Sequence, residues 1–280
     1  MAEDVAIVGA GPVGLLLANE LRLQGVDVVV YEKLLAATGE SRAIGYTRRA
    51  AEVFQMRGLM ERFGTYSWGK GGHFGGIQID YAKLEDNHYG IRGVRQSTIE
   101  AVMGSLVTER GAVLRRGHEL VDLRQDDDGA VLVLQTADGR IERRHRFVVG
   151  CDGGRSTVRK LAGIGFVGRG ATRGMYLADV VGCDIKSRSI GERVPGGMIL
   201  AFVLEEGAHR IIIHEHGLEP KEDLSTLTFD EIADSWQRMT GQDIHGAEHR
   251  WFSAFTDTTR MAAEFRRGAV FLTTGKRSVW

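Results

Sequence analysis

The chain has 280 residues, 43% of them hydrophobic, enough to bury one large core or two smaller ones. Lys and Arg total 36 against 37 Asp and Glu, a net charge of −1 with no long run of one sign, which argues against nucleic-acid binding through bulk charge. Cys151 and Cys183 form no CxxC pair, the N-terminus lacks a basic start and cleavage site, and no apolar run spans a bilayer, so a soluble, cytoplasmic protein without zinc ribbon or disulfide framework is expected.

Residues 4–9, Asp-Val-Ala-Ile-Val-Gly, are a short apolar run ending in glycine, the pattern of a fully buried parallel strand. Pro12 stands where a helix can begin, the Leu- and Ala-rich stretch 13–24 continues it, and Gly25 stops it. Residues 27–32 read as a second buried strand, closing a βαβ unit with a right-handed crossover. A helix is expected over 47–58, ended by Gly58. Residues 68–76 carry five glycines and read as irregular.

Further along, Ser97 suits a helix cap, with Glu100 three residues on to complete a capping box and the helix running to about Arg110. Alternating runs at 118–124 and 130–136 flank Asp126-Asp127-Asp128-Gly129, a hairpin signal. Residues 142–145 are a short stretch of mixed charge. Residues 146–151 form another buried strand, followed by Asp152-Gly153-Gly154-Arg155-Ser156 and a short helix. Beyond about residue 170 the texture turns antiparallel, with strands at 175–181, 198–204 and 210–214. A helix over 229–239 and strands near 250–255 and 269–273 complete the chain.

One motif dominates. Gly9-Ala10-Gly11-Pro12-Val13-Gly14 fits G-x-G-x-x-G between a strand and a helix. Gly9 permits the tight turn, Gly11 admits a pyrophosphate close to the backbone, and Gly14 lets the helix pack on the sheet. The helix N-terminus offers free N–H groups and partial positive charge to phosphates. Glu32 ends the second strand, where an acid accepts hydrogen bonds from a ribose diol. Strand, helix, second strand and acid in register make this a Rossmann-like dinucleotide site.

Other motifs fail on context. Gly163-Ile164-Gly165-Phe166-Val167-Gly168 repeats the letters but follows a helix and leads into none. Gly275-Lys276 resembles a phosphate loop, yet Arg277 stands where Ser or Thr is needed. His245-Gly246-Ala247-Glu248-His249 spells H-x-x-E-H, but Gly246 makes the required helix doubtful. His214 and His216 lack a third ligand. All four histidines read as solvent-facing, and no metal is expected.

On these residues the chain resembles the class A flavoprotein aromatic hydroxylases of the para-hydroxybenzoate hydroxylase type, and among them the aromatic polyketide (angucycline) hydroxylases. Gly39-Glu40-Ser41-Arg42, Gly72-His73-Phe74-Gly75-Gly76, Cys151-Asp152-Gly153-Gly154-Arg155-Ser156, Tyr176-Leu177-Ala178-Asp179 and Pro195-Gly196-Gly197-Met198 carry the resemblance. It implies an α/β fold: a Rossmann-like FAD-binding domain with a parallel sheet, from 1–70, 95–170 and 265–280, and an antiparallel-sheet substrate domain from 71–94 and 171–264.

The resemblance also implies FAD as cofactor, NADPH or NADH as a visiting co-substrate, and hydroxylation of a polycyclic aromatic substrate by O2 in antibiotic biosynthesis. The FAD site would comprise Gly9, Gly11, Pro12, Val13, Gly14, Glu32, Lys33, Arg42, Gln96 and Asp152. Glu32 would hold the adenosine ribose, Arg42 would lie near the diphosphate and the flavin, and Gln96 would contact the ribityl-diphosphate side. Asp152 would serve both FAD and the passing nicotinamide. Without the resemblance, Arg42 reads as a surface arginine and Gln96 as a helix-start residue, and a cap on the helix beginning near Arg155 is an open alternative for Asp152. No catalytic base is identified.

After a strand like 269–272 the family continues into a Gly-Asp motif, a Pro- and Gly-rich loop and a long helix. Here the chain ends Thr273-Thr274-Gly275-Lys276-Arg277-Ser278-Val279-Trp280. The expectation is a truncated end that leaves the flavin-ring side open and invites a partner chain or oligomer. Alternatives are a catalytically weak or silent FAD-binding remnant, or another flavin-dependent oxidoreductase of the same fold. A halogenase's lysine motif and tryptophan-rich signature are not found.

Overall fold

The computed structural model describes residues 3–41, 43–74, 77–85, 91–204, 207–221, 223–273 and 276–277. They divide into two compact units. One holds the chain up to Lys70, Leu84–Gly168 and Arg260–Arg277; the other holds Gly71–Lys83 and Arg169–Thr259.

The first unit opens with β1 (Val5–Val8), α1 (Pro12–Leu23) and β2 (Val28–Glu32), then α2 (Arg48–Met56) and α3 (Gln96–Glu109). Strand β3 (Val113–Arg116) follows, then the antiparallel β4 (Glu119–Asp126), β5 (Gly129–Thr136) and β6 (Gly139–His145). Next come β7 (Phe147–Gly150) and the short α4 (Thr157–Leu161).

The central sheet runs β3-β2-β1-β7 and then Val270–Leu272, all parallel, with Arg266–Arg267 turned antiparallel at the edge. Every residue of β1 is buried because both faces are covered. Val5 and Ile7 pack on one face with Leu15, Ala18 and Met103 from α1 and α3. Ala6 and Val8 pack on the other with Leu123, Leu132 and Leu134 from the antiparallel layer. The chain steps outward from β1 to β2 to β3, then returns to place β7 on the far side of β1. That reversal opens a crevice beyond the carboxyl ends of β1 and β7.

One stretch without a sequence expectation is assigned here, and three local expectations are corrected. Residues 142–145 belong to β6, whose Arg and Glu side chains are mostly exposed and mask its strand character. The α3 helix starts at Gln96, and Ser97 does not cap it: the Ser97 N–H donates to Ser41 Oγ at 3.1 Å. Glu100 accepts from the Gln96 amide instead of closing a capping box. The glycine-rich stretch 68–76 is not irregular throughout, since Ser67–Gly69 and Gly71–Phe74 are both strands.

The second unit is an antiparallel sheet of five strands: β8 (Gly174–Val181), β9 (Arg188–Val194), β10 (Gly197–Val203), β11 (His209–Glu215) and β12 (Glu248–Thr256), in the order β9-β10-β11-β8-β12. Helix α5 (Phe229–Thr240) seals one face, placing Ile232, Ala233 and the fully buried Trp236 against Tyr176, Ala178, Ile211 and Ile213. Its ends follow from sequence. Thr228 Oγ1 accepts from the Glu231 N–H, and Gly241, at φ 75°, closes the helix in a left-handed turn. Arg210 and Asp179 form a bidentate pair at 2.6 and 2.8 Å, with Arg210 buried. Gly71–Phe74 pairs with Ile77–Asp80 as a separate hairpin.

Among the described residues, no helix is long and apolar enough to cross a membrane, and no group of three or more His, Cys, Asp or Glu could hold a metal. His245, His216 and His249 are exposed, whereas His214 is half-buried with its Nε2 shielded from solvent. The segment 245–249 forms no helix, so the H-x-x-E-H letters carry no ligand geometry. Gly163–Gly168 follows α4 and runs into the strand Phe166–Arg169.

Candidate functional site

The site grows from the turn after β1. Gly9 sits at φ 107°, and a Cβ there would lie 2.6 Å from the Cys151 carbonyl oxygen, so the turn can tuck beside β7 only as glycine. A Cβ on Gly14 would lie 2.0 Å from the Gly9 oxygen, which fixes how closely α1 approaches the sheet. Gly11 differs: a Cβ there would meet nothing within 4 Å, because its Cα faces an open cleft. Pro12 opens α1, and no side chain caps that end. The first-turn N–H groups, Val13's among them, have no helical partner and present the positive end of the helix dipole.

The cleft measures about 540 Å³ and lies entirely within the first unit. Gly9, Gly11, Pro12, Val13, Glu32, Lys33, Gln96 and Asp152 all line it. Gly14 supports it from beneath. Arg42 lies outside the described residues, as do Gly75, Gly76 and Gly275.

Glu32 is held by two backbone amides. Its Oε2 accepts from the Ala10 N–H at 2.8 Å and its Oε1 from the Leu34 N–H at 2.9 Å. Each oxygen keeps a further acceptor site. The strand end and the glycine turn are thereby fastened to one carboxylate.

Asp152 divides its carboxylate between two tasks. Oδ2 accepts from the Thr157 and Val158 N–H groups at 2.6 and 3.0 Å, capping α4 together with Ser156, whose Oγ accepts from Arg159. The capping role is therefore real for one oxygen. Oδ1 is buried and has no partner among the described residues. Leaving such an acceptor unpaired costs on the order of 1–3 kcal/mol. Gln96 is anchored through its N–H to the Ala43 carbonyl at 3.0 Å, and its amide is turned to Glu100.

Several lining residues carry no sequence motif, among them Tyr31, His118 and Leu120. His145 Nδ1 lies 2.7 Å from the Glu3 carbonyl and therefore carries the proton, so its Nε2 accepts from the Tyr31 hydroxyl at 3.2 Å. Burial, reinforced by the charge of Glu3, pushes the Tyr31 phenol up to about 12, and burial lowers the His145 imidazole. Burial raises the Cys151 thiol to about 11, against the opposing pull of its bond to Thr273, so Cys151 packs and is not a nucleophile. Only the alternation of 118–124 hinted that His118 precedes a strand; its place beside Tyr31 depends on the pairing of β2 with β3.

A family model described as an FAD binding domain matches residues 2–273. The chain is 38% identical over 276 residues to the rifampicin monooxygenase of Streptomyces venezuelae, a match covering 96% of this chain and 57% of that enzyme. It is 34% identical over 285 residues to the 12-dehydrotetracycline 5-monooxygenase/anhydrotetracycline 6-monooxygenase of Streptomyces rimosus subsp. rimosus, covering 97% of this chain and 57% of that one. The fold superposes on the crystal structure of CabE, an aromatic hydroxylase from angucycline biosynthesis, with a TM-score of 0.95 and 46% identity over all of this chain and 57% of CabE. The chain thus spans little more than half the length of these relatives.

Proposed function

The chain belongs to the FAD binding domain family of flavoproteins, and from that membership we propose that it is the FAD-holding part of a monooxygenase that hydroxylates a polycyclic aromatic polyketide at the expense of NADPH or NADH. The relatives named above are a monooxygenase of rifampicin, a monooxygenase of 12-dehydrotetracycline and anhydrotetracycline, and an aromatic hydroxylase from angucycline biosynthesis. Their shared chemistry supports a large aromatic substrate, with O2 as the other reactant. When bound, FAD supplies the reducible flavin through which one oxygen atom of O2 reaches an electron-rich ring.

The observation that carries this reading is the cleft at the β1–β7 reversal, with an open face over Gly11 and the Glu32 carboxylate in its wall. Both fit a dinucleotide. The Gly11 backbone and the Val13 N–H would hold the diphosphate, where a side chain at position 11 would block it. Glu32, kept rigid by Ala10 and Leu34, would accept from the ribose hydroxyls. Lys33 at the exposed lip adds positive charge, and Gln96 offers its amide beside the same cleft. Asp152, whose Oδ2 caps α4, is assigned to FAD and the passing nicotinamide by resemblance alone. Arg42 is assigned near the diphosphate by resemblance alone.

The test is spectroscopic and then kinetic. Purified chain mixed with FAD and freed of excess should retain flavin absorbance, and added aromatic polyketide should stimulate NADPH oxidation when the chain is part of a competent enzyme. Absence of any retained or titratable FAD at micromolar concentrations overturns the proposal.

A further inference from the structure

We propose that His118 reads the nucleobase of the bound dinucleotide, accepting at Nε2 from the exocyclic amine of adenine; this rests on the FAD reading above. His118 follows β3 and Gly117, and the segment is stapled to the end of β2. The His118 N–H donates to the Glu32 carbonyl at 2.9 Å, and the Gly117 N–H to the Leu34 carbonyl at 3.2 Å. The residue that would hold the ribose and the residue proposed to read the base are therefore one hydrogen bond apart.

The imidazole orientation is set on two sides. Its face stacks on the Tyr31 ring, with centroids 5.9 Å apart and planes at 30°. Tyr31 is itself fixed through its hydroxyl to His145. On the edge, His118 Nδ1 lies 2.8 Å from the Arg116 carbonyl. A carbonyl oxygen only accepts, so Nδ1 carries the proton, and in the neutral ring Nε2 is a bare acceptor. Among the described residues that Nε2 has no partner. The ring lines the cleft beside Glu119 and the buried Leu120, on the β2–β3 side of Glu32.

A base joined to a ribose at Glu32 lies one glycosidic bond from this wall. Leu120 offers it apolar contact, and His118 offers a lone pair. Adenine presents an amine donor at its 6-position. Guanine presents a carbonyl acceptor there, which would face the Nε2 lone pair with no proton between them. His118 therefore selects adenine over guanine, and Tyr31 acts as a positioning residue beneath it.

Calorimetric titration of the 280-residue chain with ADP, GDP and FAD tests this, alongside His118→Ala and His118→Phe. The wild-type chain should prefer ADP to GDP by about 10-fold, the size expected of one hydrogen bond gained against one lone-pair clash. In His118→Ala that ratio should fall toward one. His118→Phe keeps a ring on Tyr31 but loses the acceptor, and its ratio should fall alike, while unfolding temperatures without nucleotide confirm that both variants fold. Binding of ADP with an ADP-to-GDP ratio unchanged in either folded variant overturns the assignment of His118 alone. A wild-type chain that binds neither ADP nor FAD overturns the flavoprotein reading, and this inference with it.

Discussion

At the scale of single residues, the glycine turn separates folding from binding. Gly11 has ordinary backbone angles, φ −76°, and open space where a Cβ would go. Gly11→Ala should leave the unfolding temperature within error of wild type yet abolish measurable ADP binding by calorimetry. Gly14→Ala should do both kinds of damage, because its Cβ would fall 2.0 Å from the Gly9 oxygen. A stability loss of about 2 kcal/mol or more is expected by urea denaturation. For Glu32→Gln, ADP affinity should drop roughly 10- to 100-fold, as for hydrogen bonds to a charged acceptor, with little change in fold. These positions were legible in the sequence because the spacing of Gly9, Gly11, Gly14 and Glu32 encodes backbone geometry directly. Tyr31 and His118 were not, since stacking between them exists only once β2 and β3 are paired.

Among the elements, α5 and the loop after it carry a charge clamp with a defined pH dependence. His245 Nδ1 lies 2.6 Å from Asp243 and its Nε2 3.0 Å from Asp234 on α5. The bond to Asp243 is the main reason the imidazole is raised above its ordinary value, with Asp234 adding to it. A folded-state value above the unfolded one means the clamp stabilises fully below the unfolded value and fades as pH rises through the folded one. His245→Ala should therefore lower the melting temperature more at about pH 5.5 than at about pH 8.5. Asp257 has the opposite sign. Hydrogen bonds from the Thr172 hydroxyl and N–H and the Arg173 N–H hold its carboxyl down at about 2. Its contribution is present above the unfolded value near 4 and is lost as pH falls toward 2, so the penalty of Asp257→Ala should shrink between about pH 6 and pH 3. Strands with alternating or wholly apolar residues, such as β1, β5 and β8, were readable from their periodicity. The charged β6 was not, because exposure on an outer strand removes the apolar signal on which such reading depends.

For the molecule as a whole, the division into two units makes a statement about where ligand energy goes. All lining residues of the nucleotide cleft belong to the first unit. ADP at about 100 times its dissociation constant should add roughly 2.7 kcal/mol to the opening of that unit. Amide exchange read by mass spectrometry should slow by about 100-fold at Val5–Val8 and Phe147–Gly150, with far smaller change at His209–Glu215 in the second unit. Equal slowing in both would show that they unfold as one. The parallel order of the first sheet could be anticipated from the βαβ pattern. The point of reversal between β1 and β7 could not be read from pattern alone, since it depends on which side of β1 a strand added more than a hundred residues later comes to rest.

That late arrival governs when the cleft can exist during translation. Val8 lies beside Gly150 in the sheet, and the cap on α4 that orients Asp152 reaches to Val158. A nascent polypeptide that has emerged only through the glycine turn and Glu32 owns half a cradle. Nucleotide capture on the ribosome must wait until β7 and α4 have left the exit tunnel, and until then β1 presents an unpaired edge for chaperones to guard.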